Sequence, residues 1–165
     1  FSMVKKTPHL KLCMGTLLNK RKKDPRMKYK KGALEFYSEN SLNADFYRDF
    51  LREKCGFQRF EWESCGYYQR FPKGKNSLHF PYYQTNTSQY CPLHAICTEG
   101  ERGKQSFVEN CPHFCEKYTL TYPEHLHMIG RYNSLFGLDL ETLMHPEILK
   151  EKEEAGIDRF VLGLI

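Results

Sequence analysis

Gly56-Phe57-Gln58-Arg59-Phe60 returns one hundred residues later as Gly156-Ile157-Asp158-Arg159-Phe160. Each copy ends a stretch with helical spacing and opens a run with strand character. Before the first copy, Leu42, Phe46, Phe50 and Leu51 fall at the spacing of one apolar helix face. Ser41 or Asn43 is placed to cap that helix, and Gly56 supplies the left-handed residue that ends it. Residues 57–63 (FQRFEWE) then alternate and are rich in aromatics, as a strand should be. Before the second copy, Pro146 suits the first turn of a helix, and Glu147 suits the positive end of its dipole. Residues 157–165 (IDRFVLGLI) are nearly continuous in apolar side chains, the pattern of a parallel strand covered on both faces. A helix delivering into a strand, twice, predicts an α/β fold with repeated βα units, and the (β/α)8 TIM-type barrel leads the candidates.

Working outward, residues 10–18 (LKLCMGTLL) read as a strand before the first helix. Residues 126–132 (LHMIGRY) read as a strand before the second, with a short helical turn after Asp139. Residues 77–85 (SLHFPYYQT) form a further strand. Residues 86–117 are broken by Pro92, Gly100, Gly103 and Pro112 and read as an insertion. In a parallel barrel a long insertion at a strand's carboxyl end lies on the active-site face. The expectation is a single domain over 1–165, a partial barrel carrying a cysteine-rich insertion at 86–117. A full barrel takes about 250 residues, so the chain is expected to be a C-terminal half, or to be closed by a partner subunit.

A chain 40% apolar and 27% charged is globular in type, not disordered. No apolar run approaches the ~18 residues of a bilayer span. The start of the chain lacks the apolar core and cleavage site of a signal peptide. The expected setting is cytoplasmic. Charge is uneven: residues 1–31 carry eleven Lys/Arg against the single acid Asp24, whereas the rest carries fourteen bases and nineteen acids. A basic block beside an acidic body predicts contact with RNA or another polyanion through Lys20, Arg21, Lys22 and Lys23. A solvated loop following a strand is the competing reading of the same block.

Cys91, Cys97, Cys111 and Cys115 fall in one insertion, spaced x5, x13 and x3, and clustered cysteines in a chain of this class more often bind metal than pair as disulfides. Zinc ribbons usually use C-x2-C or C-x4-C pairs. The looser spacing favours an iron–sulfur cluster, 4Fe-4S in type, with zinc as the alternative. His94 and His113 lie within the insertion as secondary ligand candidates. Cys13, Cys55 and Cys65 read as buried small apolar side chains.

Residues 13–20 (CMGTLLNK) followed by Asp24-Pro25-Arg26 resemble a segment of the collagenase-like, U-thirty-two peptidase family. The passage from Ser41-Leu42-Asn43 to Glu63 is similar to that family's helix leading to a strand with a terminal acid, and Tyr90-Cys91-Pro92 with Cys111 and Cys115 resembles its cysteine-bearing stretch. The resemblance implies a (β/α)8-type barrel with a cysteine-bound iron–sulfur cluster at its mouth. It also implies hydroxylation-type chemistry on RNA or a small aromatic substrate in place of proteolysis. The last two cysteines stand closer together here than in that pattern.

Acids at the carboxyl ends of barrel strands are the usual catalytic positions. Glu61 and Glu63 flank Trp62 at such an end, and whichever faces the barrel axis is expected to act as general acid or base. Arg131 and Asn133 follow another strand and could hold a carboxylate or phosphate. Asn19 ends the first strand. Tyr82, Tyr83 and Tyr90 read as strand core or as stacking platforms for bases. Two alternatives to an enzyme fit the same features: a zinc-stapled module that binds RNA without catalysis, and an interaction subunit that completes a barrel.

Overall fold

The computed structural model describes residues 7, 9–19, 39–65, 69–99 and 111–165. The basic block at Lys20, Arg21, Lys22 and Lys23 lies outside them. In chain order the elements are β1 (Leu12–Met14), α1 (Asp45–Glu53), β2 (Phe57–Glu63), β3 (Lys75–Phe80) and β4 (Tyr82–Thr87). Then come α2 (Pro92–Cys97), β5 (Leu120–Thr121), β6 (Met128–Arg131), β7 (Ser134–Leu138), α3 (Leu140–Met144), α4 (Pro146–Glu154) and β8 (Arg159–Leu162). Two four-stranded sheets result: β1-β2-β3-β8, parallel throughout, and β4-β7-β6-β5, antiparallel throughout. No barrel closes among the described residues, and no helix there is long and apolar enough to cross a membrane.

The two glycine junctions sit where the sequence puts them. Gly56 (φ 76°) and Gly156 (φ 114°) are both left-handed, each turning a helix into a parallel strand. The 3-10 turn Ser41–Asn43 that leads into α1 is capped by Asn40, one residue before the predicted caps: its Oδ1 accepts from Leu42 N (2.9 Å), while Asn43 Oδ1 accepts from Asn40 N (3.0 Å), and α1 itself starts after Ala44 with no side-chain cap. That reciprocal bonding satisfies donors which the start of a helix otherwise leaves unpaired.

The apolar face of α1 is not the predicted one. Leu42 and Leu51 are buried, but Phe46 and Phe50 are 80% and 52% exposed. Tyr47, Leu51 and Cys55, spaced at i, i+4 and i+8, form the stripe that meets the core of Met14, Phe60, Trp62, Leu78 and Ile157. Phe46 and Phe50 flank that stripe, because each stands one residue, about 100° of helical rotation, from Tyr47 and Leu51, which leaves them beside the sheet and not over it.

The second predicted strand–helix–strand passage also differs. Residues 128–131 pair antiparallel with β7 through the turn at Tyr132 and Asn133, so they belong to the second sheet and not to a βα unit. The strand read across 77–85 is two strands: the Phe80–Pro81 peptide is cis, and the chain leaves the parallel sheet there to start the antiparallel one. The run 10–18 is a three-residue strand followed by a 3-10 turn at Thr16–Leu18.

The parallel sheet is two-faced. Along β2, Phe60 and Trp62 are buried under α1, while Arg59, Glu61 and Glu63 occupy the opposite face. Among the described residues β8 is an edge strand with Arg159 and Leu162 exposed, where its composition suggests a strand covered on both faces. The uncovered face is charged, and its charges are paired. Arg59 donates to both carboxylate oxygens of Asp158 (2.6 and 2.9 Å) and to Ser77 Oγ (3.1 Å), and Arg159 Nε donates to the same hydroxyl (2.9 Å). The repeated pentapeptide thus brackets β3 from both sides, each copy sending its arginine to Ser77.

Beneath this network, buried Asn76 ties the layers together. Its Oδ1 accepts from Trp62 Nε1 (3.0 Å), and its Nδ2 donates to the carbonyls of Pro72 (2.9 Å), Gly156 (3.0 Å) and Gly74 (3.3 Å). The two sheets are joined by a second buried cluster in which Ser64 and Thr142 hydroxyls both donate to Asp139 Oδ2, and Thr142 N donates to Asp139 Oδ1 (3.1 Å). Asp139 is the cap of α3, as its position after β7 predicts.

Candidate functional site at the carboxyl ends of the parallel strands

In parallel α/β sheets the strands' carboxyl ends carry the chemistry, because there the loops diverge and leave a crevice. Here that end opens into a cavity of about 350 Å³. All four parallel strands contribute to it: Gly15 and the 3-10 turn after β1, Glu61 and Glu63 from β2, His79 from β3, and Gly163 after β8. Tyr82, Gln84 and Phe136 close it from the antiparallel sheet, and Leu17, Leu18 and Ile165 add apolar wall.

Glu61 is the most heavily connected group in it. Its Oε2 lies 3.4 Å from His79 Nε2, and its Oε1 lies 3.4 Å from Arg159 Nη2. His79 Nε2 is buried and makes no hydrogen bond in this arrangement, so the Glu61 carboxylate is a near neighbour that a small rotation would engage. Cys13 donates its thiol to Glu61, and burial first, then that bond, pushes the thiol up to about 11. Cys13 is therefore a protonated donor at neutral pH and not a nucleophile. Glu63 is oriented differently: its Oε1 accepts from Gln84 N (3.1 Å), which ties the end of β2 to the antiparallel sheet. Arg159 is shared between Glu61 and Ser77, so its charge is already compensated.

Both predicted acids therefore reach the site. The expectation that only one of them faces it is corrected, since residues two apart on a strand share a face. Arg131 and Asn133 do not reach it. Asn133 sits in the β6–β7 turn, its Nδ2 donating to Ser88 O (3.1 Å), and Arg131 stacks over Tyr132 at 5.4 Å. Sequence reasoning missed Cys13, His79, Gln84 and Arg159. For His79 a signal existed: Ser77 and His79 alternate with Leu78 and Phe80, which assigns the histidine to the polar face. Tyr83, by contrast, is core, its buried ring lying against Gly137.

The cysteine-rich segment is organised around α2. Cys91 is its cap residue and donates its thiol to Tyr132 O (3.3 Å), and Cys97 is its last residue and exposed. Six residues of helix separate these two by about 9 Å along the axis and turn them to different sides. His94 is buried with its ring against Phe114 (6.2 Å), so α2 packs on the 3-10 turn Phe114–Glu116 that contains Cys115. His113 is bonded to Glu116 (3.1 Å). The two cysteine-bearing segments are neighbours. Among the described residues no three His, Cys, Asp or Glu side chains are grouped to hold one metal ion. Cys55 and Cys65 meet the expectation of buried side chains in part, Cys65 bonding to Gln69 Nε2 (3.0 Å), whereas Cys13 is exposed and bonds Glu61 of the cavity.

No protein-family model, curated protein or solved structure matches the chain.

Proposed function

We propose that the cavity is an acid–base active site, and that the chain is a component of a barrel-type enzyme acting on a small planar substrate or an unstacked base. The observation that carries the reading is the Glu61–His79 pair at the carboxyl ends of adjacent parallel strands, inside a cavity to which all four strands contribute. A carboxylate beside an imidazole can pass a proton between them, and that is the elementary requirement of general acid–base catalysis. Cys13 and Arg159 hold Glu61 from the other side, so its rotamer is set by partners and not by substrate.

The lining also selects the substrate. Among the described residues it contains two carboxylates and a histidine but neither lysine nor arginine. An anionic group would meet like charge there, so the reacting end is neutral or cationic and carries N–H or O–H donors. Tyr82 and Phe136 supply ring faces, which suits a planar ring. The collagenase-like resemblance adds an iron–sulfur cofactor and hydroxylation-type chemistry. Neither is required by this reading, and no step of it passes through a cluster. Elemental analysis of anaerobically purified protein tests the cofactor separately.

Ligand-observed NMR with uracil, cytosine and adenine, against 4-hydroxybenzoate as the anionic ring, tests the site. Neutral rings should bind, and Glu61→Gln or His79→Phe should abolish their signals. Tighter binding of 4-hydroxybenzoate than of every neutral ring would reject the assignment.

A further inference from the structure

At the opposite end of the parallel sheet the charge reverses. Arg52, from the last turn of α1, and Lys73 and Lys75, at the entry to β3, line a second, shallower concavity of about 570 Å³ with Phe57, Gln58 and Gly74. None of these three cations has a carboxylate within ion-pair distance among the described residues. Elsewhere on the same sheet the arginines are compensated: Arg59 by Asp158, and Arg159 by Glu61. The contrast matters, because three uncompensated cations around one concavity raise the local potential and attract an anion.

Arg52 is held in advance of any ligand. Its Nη2 donates to Lys73 O, and its guanidinium lies 5.5 Å from the Phe60 ring centroid. Gly74 makes room for it: at φ 131° the residue adopts a backbone that side chains rarely tolerate, and a Cβ there would run into Arg52 Nη2. Only one of the five guanidinium N–H donors is spent on that carbonyl, so a fork remains for phosphate oxygens. Lys73 and Lys75 flank it on exposed, mobile stems that suit them to neutralising charge without setting geometry.

We infer that Arg52, Lys73, Gly74 and Lys75 form a phosphate-binding site. It is separate from the acid–base cavity: Lys75 and His79 stand at the two ends of β3, four residues or about 13 Å apart. The phosphate belongs either to a nucleic-acid strand or to a free nucleotide, and the inference holds whether or not the cavity turns over a substrate.

The test uses the full chain with a 5′-labelled uridine 12-mer RNA, read by fluorescence anisotropy, and with uridine monophosphate, read by calorimetry. The variants are Lys73→Ala/Lys75→Ala, both at exposed positions, and Gly74→Ala, which displaces Arg52. The double variant should weaken 12-mer binding at least tenfold. It should also reduce the slope of log K against log salt by about 1.4, at about 0.7 for each strand phosphate released. Gly74→Ala should weaken binding while both lysines remain. If the monophosphate binds as tightly as the 12-mer and loses affinity in the same variants, the site serves free nucleotides. If the monophosphate competes only weakly, it serves a strand. Binding of both ligands within twofold of the parent in the lysine variant, or binding of neither ligand to the parent, overturns the inference.

Discussion

Replacing Asn76 with Ala probes the joint on which both halves of the parallel sheet rest. The side chain is fully buried and makes four hydrogen bonds. Gly74 and Gly156 are exposed, so water can take over their carbonyls after truncation. The Trp62 indole N–H and the Pro72 carbonyl lie in buried residues and are left stranded. Each such group costs about 1–3 kcal/mol, which sets the loss at about 4 kcal/mol before any cavity term. Against a total of about 5–15 kcal/mol for a typical domain, that is a large share. Trp62 is the only tryptophan, so its emission reports the site directly. Urea unfolding should show a midpoint about 2 M lower with an unchanged slope, taking about 2 kcal/mol/M for a domain of this size. Trp62→Phe, followed by circular dichroism, removes the indole partner alone, and the double-mutant cycle should return a coupling of about 1–2 kcal/mol. A midpoint shift below about 0.5 M for Asn76→Ala would refute the account of Asn76 as the joint.

Two further outcomes follow from titrations. Cys13 should resist alkylation until unusually high pH, with its half-maximal rate near 11, mapped by peptide mass spectrometry among the seven cysteines; a midpoint at 9 or below would contradict its bond to Glu61. Because that pKa is raised in the folded state, its contribution to stability is complete below about pH 9 and is lost as pH rises toward 11. Asp158 has the opposite sign: the Arg59 guanidinium holds its carboxyl below the ordinary Asp range, so its contribution is present above about pH 4 and is lost on further acidification. Asp158→Asn should flatten the acid limb of a stability–pH profile, and an unchanged limb would remove Arg59–Asp158 from the list of stabilising pairs.

Much of the local structure was readable in the residues themselves. Gly56 and Gly156 announce their junctions because few other residues turn a helix into a strand at positive φ, and Pro146 and Asp139 mark helix starts for equally local reasons. That Glu61 and Glu63 stand at the carboxyl end of β2 was legible from strand position alone. The cap at Asn40, which belongs to the 3-10 turn before α1, was missed by one residue, since Asn40, Ser41 and Asn43 are all good caps and only the path of the chain chooses among them.

What the sequence determined, then, is a set of short-range facts: the helices before Gly56 and Gly156, the glycines that end them, and that β2 alternates between apolar and charged side chains. Those follow from backbone sterics and from a period of two, and they need no distant partner. Partnership was decided only by the tertiary structure. That 128–131 joins an antiparallel hairpin, that β8 lies beside β3, and that Phe46 and Phe50 miss the core depend on which surfaces meet, and many pairings satisfy the same local pattern. The site is a consequence of that choice. Cys13, Glu61, His79 and Arg159 come from four strands that are adjacent only because the sheet takes the order β1-β2-β3-β8, and no spacing along the chain encodes their proximity.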